Sequence, residues 1–122
     1  MILVDTSVWV DHFHRPEPEL EALLRARKIL VHPFVRGEVA LGSFPDRVAL
    51  LDYLGGLCRG KVASDDEVLQ LIEDRSLTGT GIGYMDAHLL ASVLLTSGAR
   101  LWTRDRALRK VARQLSLDAG LK

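Results

Sequence analysis

Four acids stand where this chain changes from one kind of structure to another. Asp5 follows the apolar run Ile2-Leu3-Val4, and Glu38 lies in the stretch after Ile29-Leu30-Val31. Asp86 falls in the first turn of an apolar helix, and Asp105 comes just past Leu101-Trp102-Thr103. Taken singly, most of them have an ordinary use: an acid favours a helix N-terminus, and Asp105 is placed to cap the last helix. Asp5 differs, because an acid directly after a buried three-residue run has little packing purpose. Together they point to chemistry. Ligands bind beyond the carboxyl ends of the strands in open parallel sheets, so all four are expected to converge on one edge. Clustered carboxylates raise one another's pKa unless a cation neutralises them. Hard oxygen ligands select Mg2+ or Mn2+ over zinc, and no Cys/His cluster competes. One or two such ions would activate a water and stabilise in-line displacement at phosphorus. The expected substrate is a phosphodiester.

The elements that must position these acids read as alternating strands and helices. Ile2 to Val4 is a short unalternating run, as in a buried parallel strand, and Thr6 and Ser7 are natural N-caps for a turn or helix after it. Leu20, Leu23 and Leu24 give Glu17 to Lys28 helical spacing. Ile29 to Val31 is a second strand, stopped by Pro33, and the helix carrying Glu38 comes next. Pro45 opens another helix with Val48, Leu51 and Leu54 inward, ending near Gly55-Gly56. Lys61-Val62-Ala63 is a connector, and Ser64 with Glu67 forms a capping box. Gly79, Gly81 and Gly83 lead into a helix from Tyr84 to Ser97, ended by Gly98. Leu101 to Thr103 is the third strand, before a final helix bearing Leu108, Val111, Ala112 and Leu115. This order predicts an α/β sandwich with a parallel central sheet flanked by helices, one domain over residues 1–122.

Composition bounds the reading. With 122 residues and 48% apolar content, the chain can bury a real core. No apolar stretch is long enough for a membrane span, and the start Met1-Ile2-Leu3 lacks an export signal. A single cysteine, Cys58, with no partner fits a reducing, cytoplasmic location. Formal net charge is zero, but it is unevenly spread: residues 100–122 hold seven basic side chains against two acidic ones. Arg104, Arg106 and Arg109 are placed to hold flanking phosphates around an acidic pocket.

Several residues invite other readings. His12 and His14 form a His-x-His pair, read here as part of a solvated turn. His88 follows Asp86 by two positions and so faces another way on a helix. Trp9 and Trp102 have apolar neighbours and suit the core or a dimer contact. The Gly79-Gly81-Gly83 run lacks the Lys-Ser/Thr of a phosphate-binding loop. A receiver domain would need paired acids near Asp5 and a late lysine, and a haloacid-dehalogenase-type phosphatase a second acid at position 7. Neither is present.

The segments Ile2-Leu3-Val4-Asp5-Thr6-Ser7, Gly37-Glu38, Asp86-Ala87-His88-Leu89-Leu90-Ala91 and Leu101-Trp102-Thr103-Arg104-Asp105 occur in the order and spacing of PIN-domain proteins. The resemblance covers nearly the whole chain, and the length resembles that of the VapC toxins of VapBC toxin–antitoxin systems. It implies a PIN-like three-layer sandwich and Mg2+- or Mn2+-dependent endonuclease cleavage of RNA, of the tRNA or rRNA class. It also implies a VapB-like antitoxin and a homodimer. Asp5, Glu38, Asp86 and Asp105 match the family's acidic quartet, and Thr6 and Thr103 the hydroxyl positions that support it. Some relatives carry a further acid after the fourth aspartate, where this chain has Arg106 and Ala107. The competing expectation is a PIN fold that binds RNA or protein without cutting. Retention of all four acids argues against it.

Overall fold

The computed structural model describes residues 1–122. Four short strands form one parallel sheet: β1 (Ile2–Val4), β2 (Ile29–Val31), β3 (Cys58–Arg59) and β4 (Arg100–Trp102), in the order β3-β2-β1-β4. β1 lies centrally, with Leu3 opposite Leu30 on one side and Leu101 on the other. Its all-apolar composition follows from that position, since a central parallel strand is covered on both faces.

Seven helices connect the strands. α1 (Thr6–His14) and α2 (Pro18–Arg25) link β1 to β2, and α3 (Pro33–Leu41) and α4 (Arg47–Gly55) link β2 to β3. α5 (Asp65–Asp74) and α6 (Tyr84–Leu95) cross to β4, and α7 (Arg106–Gln114) follows it. The chain steps outward from β1 to β2 to β3, then returns past β1 to β4. Right-handed crossovers then place the helices before β3 on one face and α5 and α6 on the other. Accordingly α1 packs on α3 and α3 on α4, while α5 packs on α6. The reversal makes the gap between β1 and β4 the switch point of the sheet, where doubly wound folds bind ligands.

The core is continuous, running from Leu3, Val4 and Trp9 through Leu54 to Leu90, Leu101 and Leu108. Ala87 to Val93 of α6 are all buried, so this mostly apolar stretch is covered all round, with His88 and Ser92 inside it. Trp9 and Trp102 are core residues, essentially without exposure. α5 carries the expected capping box: Ser64 Oγ accepts from Glu67 N at 3.1 Å, and Glu67 Oε1 accepts from Ser64 N at 2.9 Å.

Four local expectations are corrected. A fourth strand, β3, precedes the Lys61–Ala63 connector. Val48 is 69% exposed, in the first turn of α4, which starts at Arg47 after Asp46 turns the chain with φ of 54°. Thr6 and Ser7 lie within α1 and do not cap it; Asp5 holds the N-cap position with extended backbone. His12 and His14 belong to the last turn of that same helix, not to a solvated turn. No helix is long and apolar enough to cross a membrane.

Candidate active site

Asp5 is placed by the end of β1. Its backbone N–H donates to the Trp102 carbonyl at 2.9 Å, which extends the β1–β4 ladder one step past the strands. The side chain is buried, and its Oδ2 accepts from Ser7 Oγ at 2.7 Å and from Thr103 Oγ1 at 2.8 Å. Ser7 Oγ in turn accepts from Arg104 N at 3.0 Å, and Thr103 Oγ1 from Asp105 N at 3.1 Å. Two hydroxyls thus stitch the ends of β1 and β4 together around one carboxylate oxygen.

Asp105 is the N-cap of α7, and its Oδ1 accepts from Leu108 N at 2.9 Å. Asp86 sits in the first turn of α6, its Oδ2 accepting from Gly83 N at 3.0 Å. Burial pushes the Asp86 carboxyl above its ordinary range; the Gly83 N–H opposes this, and the charges of Asp5 and Asp105 add to it. These three acids therefore feel one another across the switch point. Glu38, exposed on α3, joins through Thr6, whose Oγ1 donates to Glu38 Oε1 at 2.8 Å.

A common pattern runs through the four acids. Each uses one oxygen for a hydrogen bond to the protein: Asp5 Oδ2, Glu38 Oε1, Asp86 Oδ2 and Asp105 Oδ1. The other oxygen of each accepts nothing from the protein. No three Asp, Glu, His or Cys side chains close tightly enough to form a finished metal cage. The donor set nevertheless suits a hard divalent cation: oxygen only, anionic, anchored on one edge, and each acid with an oxygen to spare.

The basic residues divide. Arg104 turns away from the acids: its Nη1 pairs with Asp11 Oδ2 and Glu17 Oε1, both at 2.7 Å, and its Nε donates to the Lys122 carbonyl at 3.0 Å. These partners hold its pKa above the ordinary arginine range, and the Arg104 hydrogen bond holds the Glu17 carboxyl below its own. Arg109 donates through Nη2 to the Thr103 carbonyl at 2.9 Å, bracing the end of β4. Arg106 is exposed and makes no ion pair.

Ser7 is the site residue that sequence reasoning assigned to another role. The Asp-Thr-Ser triplet was its signal: two hydroxyls directly after the acid, one reaching Glu38 and one reaching Asp5. His88 is buried among Phe34 and Tyr84, both rings centred 4.7 Å away, with Nε2 3.3 Å from Asp65 Oδ1. His12 Nδ1 accepts from Glu17 N at 3.0 Å, and His14 Nδ1 lies 2.8 Å from the Val10 carbonyl.

The family model for the PIN domain matches residues 2–114 of this chain. Ribonuclease VapC32 of Mycobacterium tuberculosis, in both strain CDC 1551 and strain H37Rv, is 49% identical to it over 109 residues. That alignment covers 89% of this chain and 88% of the mycobacterial protein.

Proposed function

This chain belongs to the PIN-domain family, and from that premise we propose that it is a divalent-metal-dependent endoribonuclease, the VapC-type toxin of a toxin–antitoxin pair. Four anchored carboxylates support this reading, Asp5, Asp86 and Asp105 around the β1/β4 switch point and Glu38 tied in through Thr6, each keeping one oxygen clear of protein hydrogen bonds. The likeness to a protein named Ribonuclease VapC32 supports RNA as the substrate.

In this reading Asp5, Asp86 and Asp105 would hold Mg2+ or Mn2+, with Glu38 completing the set. A bound ion would supply Lewis acidity and activation of a water for attack at phosphorus. The rest is done by side chains. Ser7 and Thr103 fix the rotamer of Asp5, so that its Oδ1 faces away from the two hydroxyls. Thr6 orients Glu38 in the same way. Burial raises the pKa of the Asp86 carboxyl, and a cation bound beside it would favour the ionised form.

A VapB-like antitoxin is proposed to dock on the groove of about 310 Å3 between α1, α2 and α4, where Trp9, Phe13, Leu24, Leu50 and Tyr53 lie beside His12, Glu21 and Arg25. Its mixed apolar and charged lining suits an amphipathic segment. The functional unit is proposed to be one PIN nuclease domain over residues 1–122, working as a cytoplasmic homodimer on RNA of the tRNA or rRNA class.

The decisive experiment is cleavage of a mixed RNA pool by antitoxin-free protein with Mg2+, Mn2+ or EDTA, beside Asp86→Asn. Cleavage that needs metal and vanishes in the variant is expected. Cleavage that survives the substitution or EDTA would sink the reading.

A further inference from the structure

α7 reads Arg106-Ala107-Leu108-Arg109-Lys110-Val111-Ala112-Arg113-Gln114, and its inward residues Leu108, Val111 and Ala112 are buried. The opposite side holds only Arg106, Arg109, Lys110, Arg113 and Gln114, which line one shallow groove of about 370 Å3 with no apolar member. Arg106 and Lys110 have no acidic partner within the chain. Arg113 has a single partner, Asp118, at a loose 3.6 Å. The hydrogen bonds of Arg109 go to neutral carbonyls, so its charge is uncompensated.

This face is costly for a free-standing helix. Arg106 with Arg109, Arg106 with Lys110, Arg109 with Arg113 and Lys110 with Arg113 are like-charge pairs at three- or four-residue spacing, each destabilising. Arg106 also opens the helix, where the dipole disfavours a cation. The whole chain has no net charge, so the cluster is a local concentration rather than a share of a basic protein. A polyanion lying along it offsets all of these terms at once.

Its place in the fold says which polyanion. Arg106 directly follows Asp105, and at 1.5 Å of rise per residue the row from Arg106 to Arg113 runs roughly 10 Å away from the acidic pocket. Resting on the ribonuclease reading above, we propose that Arg106, Lys110 and Arg113 form a phosphate track that grips the single-stranded RNA backbone flanking the cut. Arg104 is no part of it, being committed to Asp11 and Glu17. The track reads backbone charge, not base identity.

The test is equilibrium binding of a fluorescent unstructured RNA in EDTA, where no cutting competes, from about 50 to about 200 mM salt. Single-strand binding loses about 0.7 of log-log salt slope per phosphate contact, so three contacts give a slope of about −2. The triple variant Arg106→Gln, Lys110→Gln, Arg113→Gln is expected to lose most of that slope and to bind about tenfold or more weaker at low salt. Arg104→Gln and Arg25→Gln should keep the wild-type slope. Because repulsion is relieved, the triple variant should melt no lower than the wild type, which separates lost binding from lost folding. An unchanged slope in the triple variant, or a wild type whose binding ignores salt, overturns the track. RNA cleavage with no slope on α7 keeps the nuclease and removes the track. Binding that depends on α7 in a protein that cuts nothing does the reverse.

Discussion

Thr103 Oγ1 donates to Asp5 Oδ2 at 2.8 Å, joining residues 98 positions apart at the ends of neighbouring strands. The same oxygen accepts from Asp105 N, so one hydroxyl aligns two acids. The first bond exists only because β1 and β4 run side by side and in the same direction, with Val4 opposite Trp102; the second is local to the end of β4.

Thr103→Val keeps the shape and removes both bonds. Cleavage is expected to fall roughly 10- to 100-fold, the usual loss when a ligand's support is removed. Stability should drop by about 1–3 kcal/mol, because the Asp105 N–H loses its partner. Thr103→Ser should recover most of both. Paired kinetics and melting curves check this, and a Thr103→Val enzyme of full activity would remove Thr103 from the site.

Metal should stabilise the wild type. At a concentration of about one hundred times Kd, a ligand that binds only the folded state adds about 2.7 kcal/mol, visible as a rise in Tm with Mg2+ or Mn2+. Asp86→Asn should abolish that rise. In EDTA the same variant should melt at or above the wild type, since it no longer buries an acid between the charges of Asp5 and Asp105. A metal-insensitive wild type counts against the whole acidic set.

Asp5, Asp86 and Asp105 were legible as candidates because the ends of short apolar strands and the first turns of helices are locally marked. Val4-Asp5 and Thr103-Arg104-Asp105 are such places. β3 escaped because Cys58 and Arg59 are both exposed and supply no apolar run. Val48 was misplaced for a backbone reason: the left-handed turn at Asp46 sets where α4 begins, and nothing in the hydrophobic spacing reports it. The turn of Arg104 away from the acids was equally hidden. It depends on Asp11 and Glu17, which approach it only through tertiary packing.

The buried His32 should make the fold acid-sensitive. Its Nδ1 accepts from Phe34 N at 3.0 Å, and burial, helped by the charges of His88 and Arg59, holds its pKa down to about 4. The unfolded chain takes up that proton from about pH 6.5. Stability is therefore complete above about pH 6.5 and declines as pH falls toward about 4, by about 3 kcal/mol in all. His32→Asn keeps the cap without the titration and should flatten that part of the denaturation profile. An identical profile in the variant would clear His32 of the effect.

The capping box of α5 gives a simpler expectation. Ser64→Ala removes the acceptor for Glu67 N and should cost about 1 kcal/mol, with RNA cleavage unchanged at temperatures well below Tm. Ser64→Asp should restore the stability.

The central position of β1 bears on when this protein becomes dangerous to the cell that makes it. Residues 2–4 are synthesised long before their partner on one side, β4, which begins at Arg100. Asp5 is therefore without its Thr103 clasp until Thr103 itself has been made. A nascent or prematurely released fragment ending before Thr103 carries Asp5, Glu38 and Asp86 but cannot align them. Such a fragment is expected to cut no RNA.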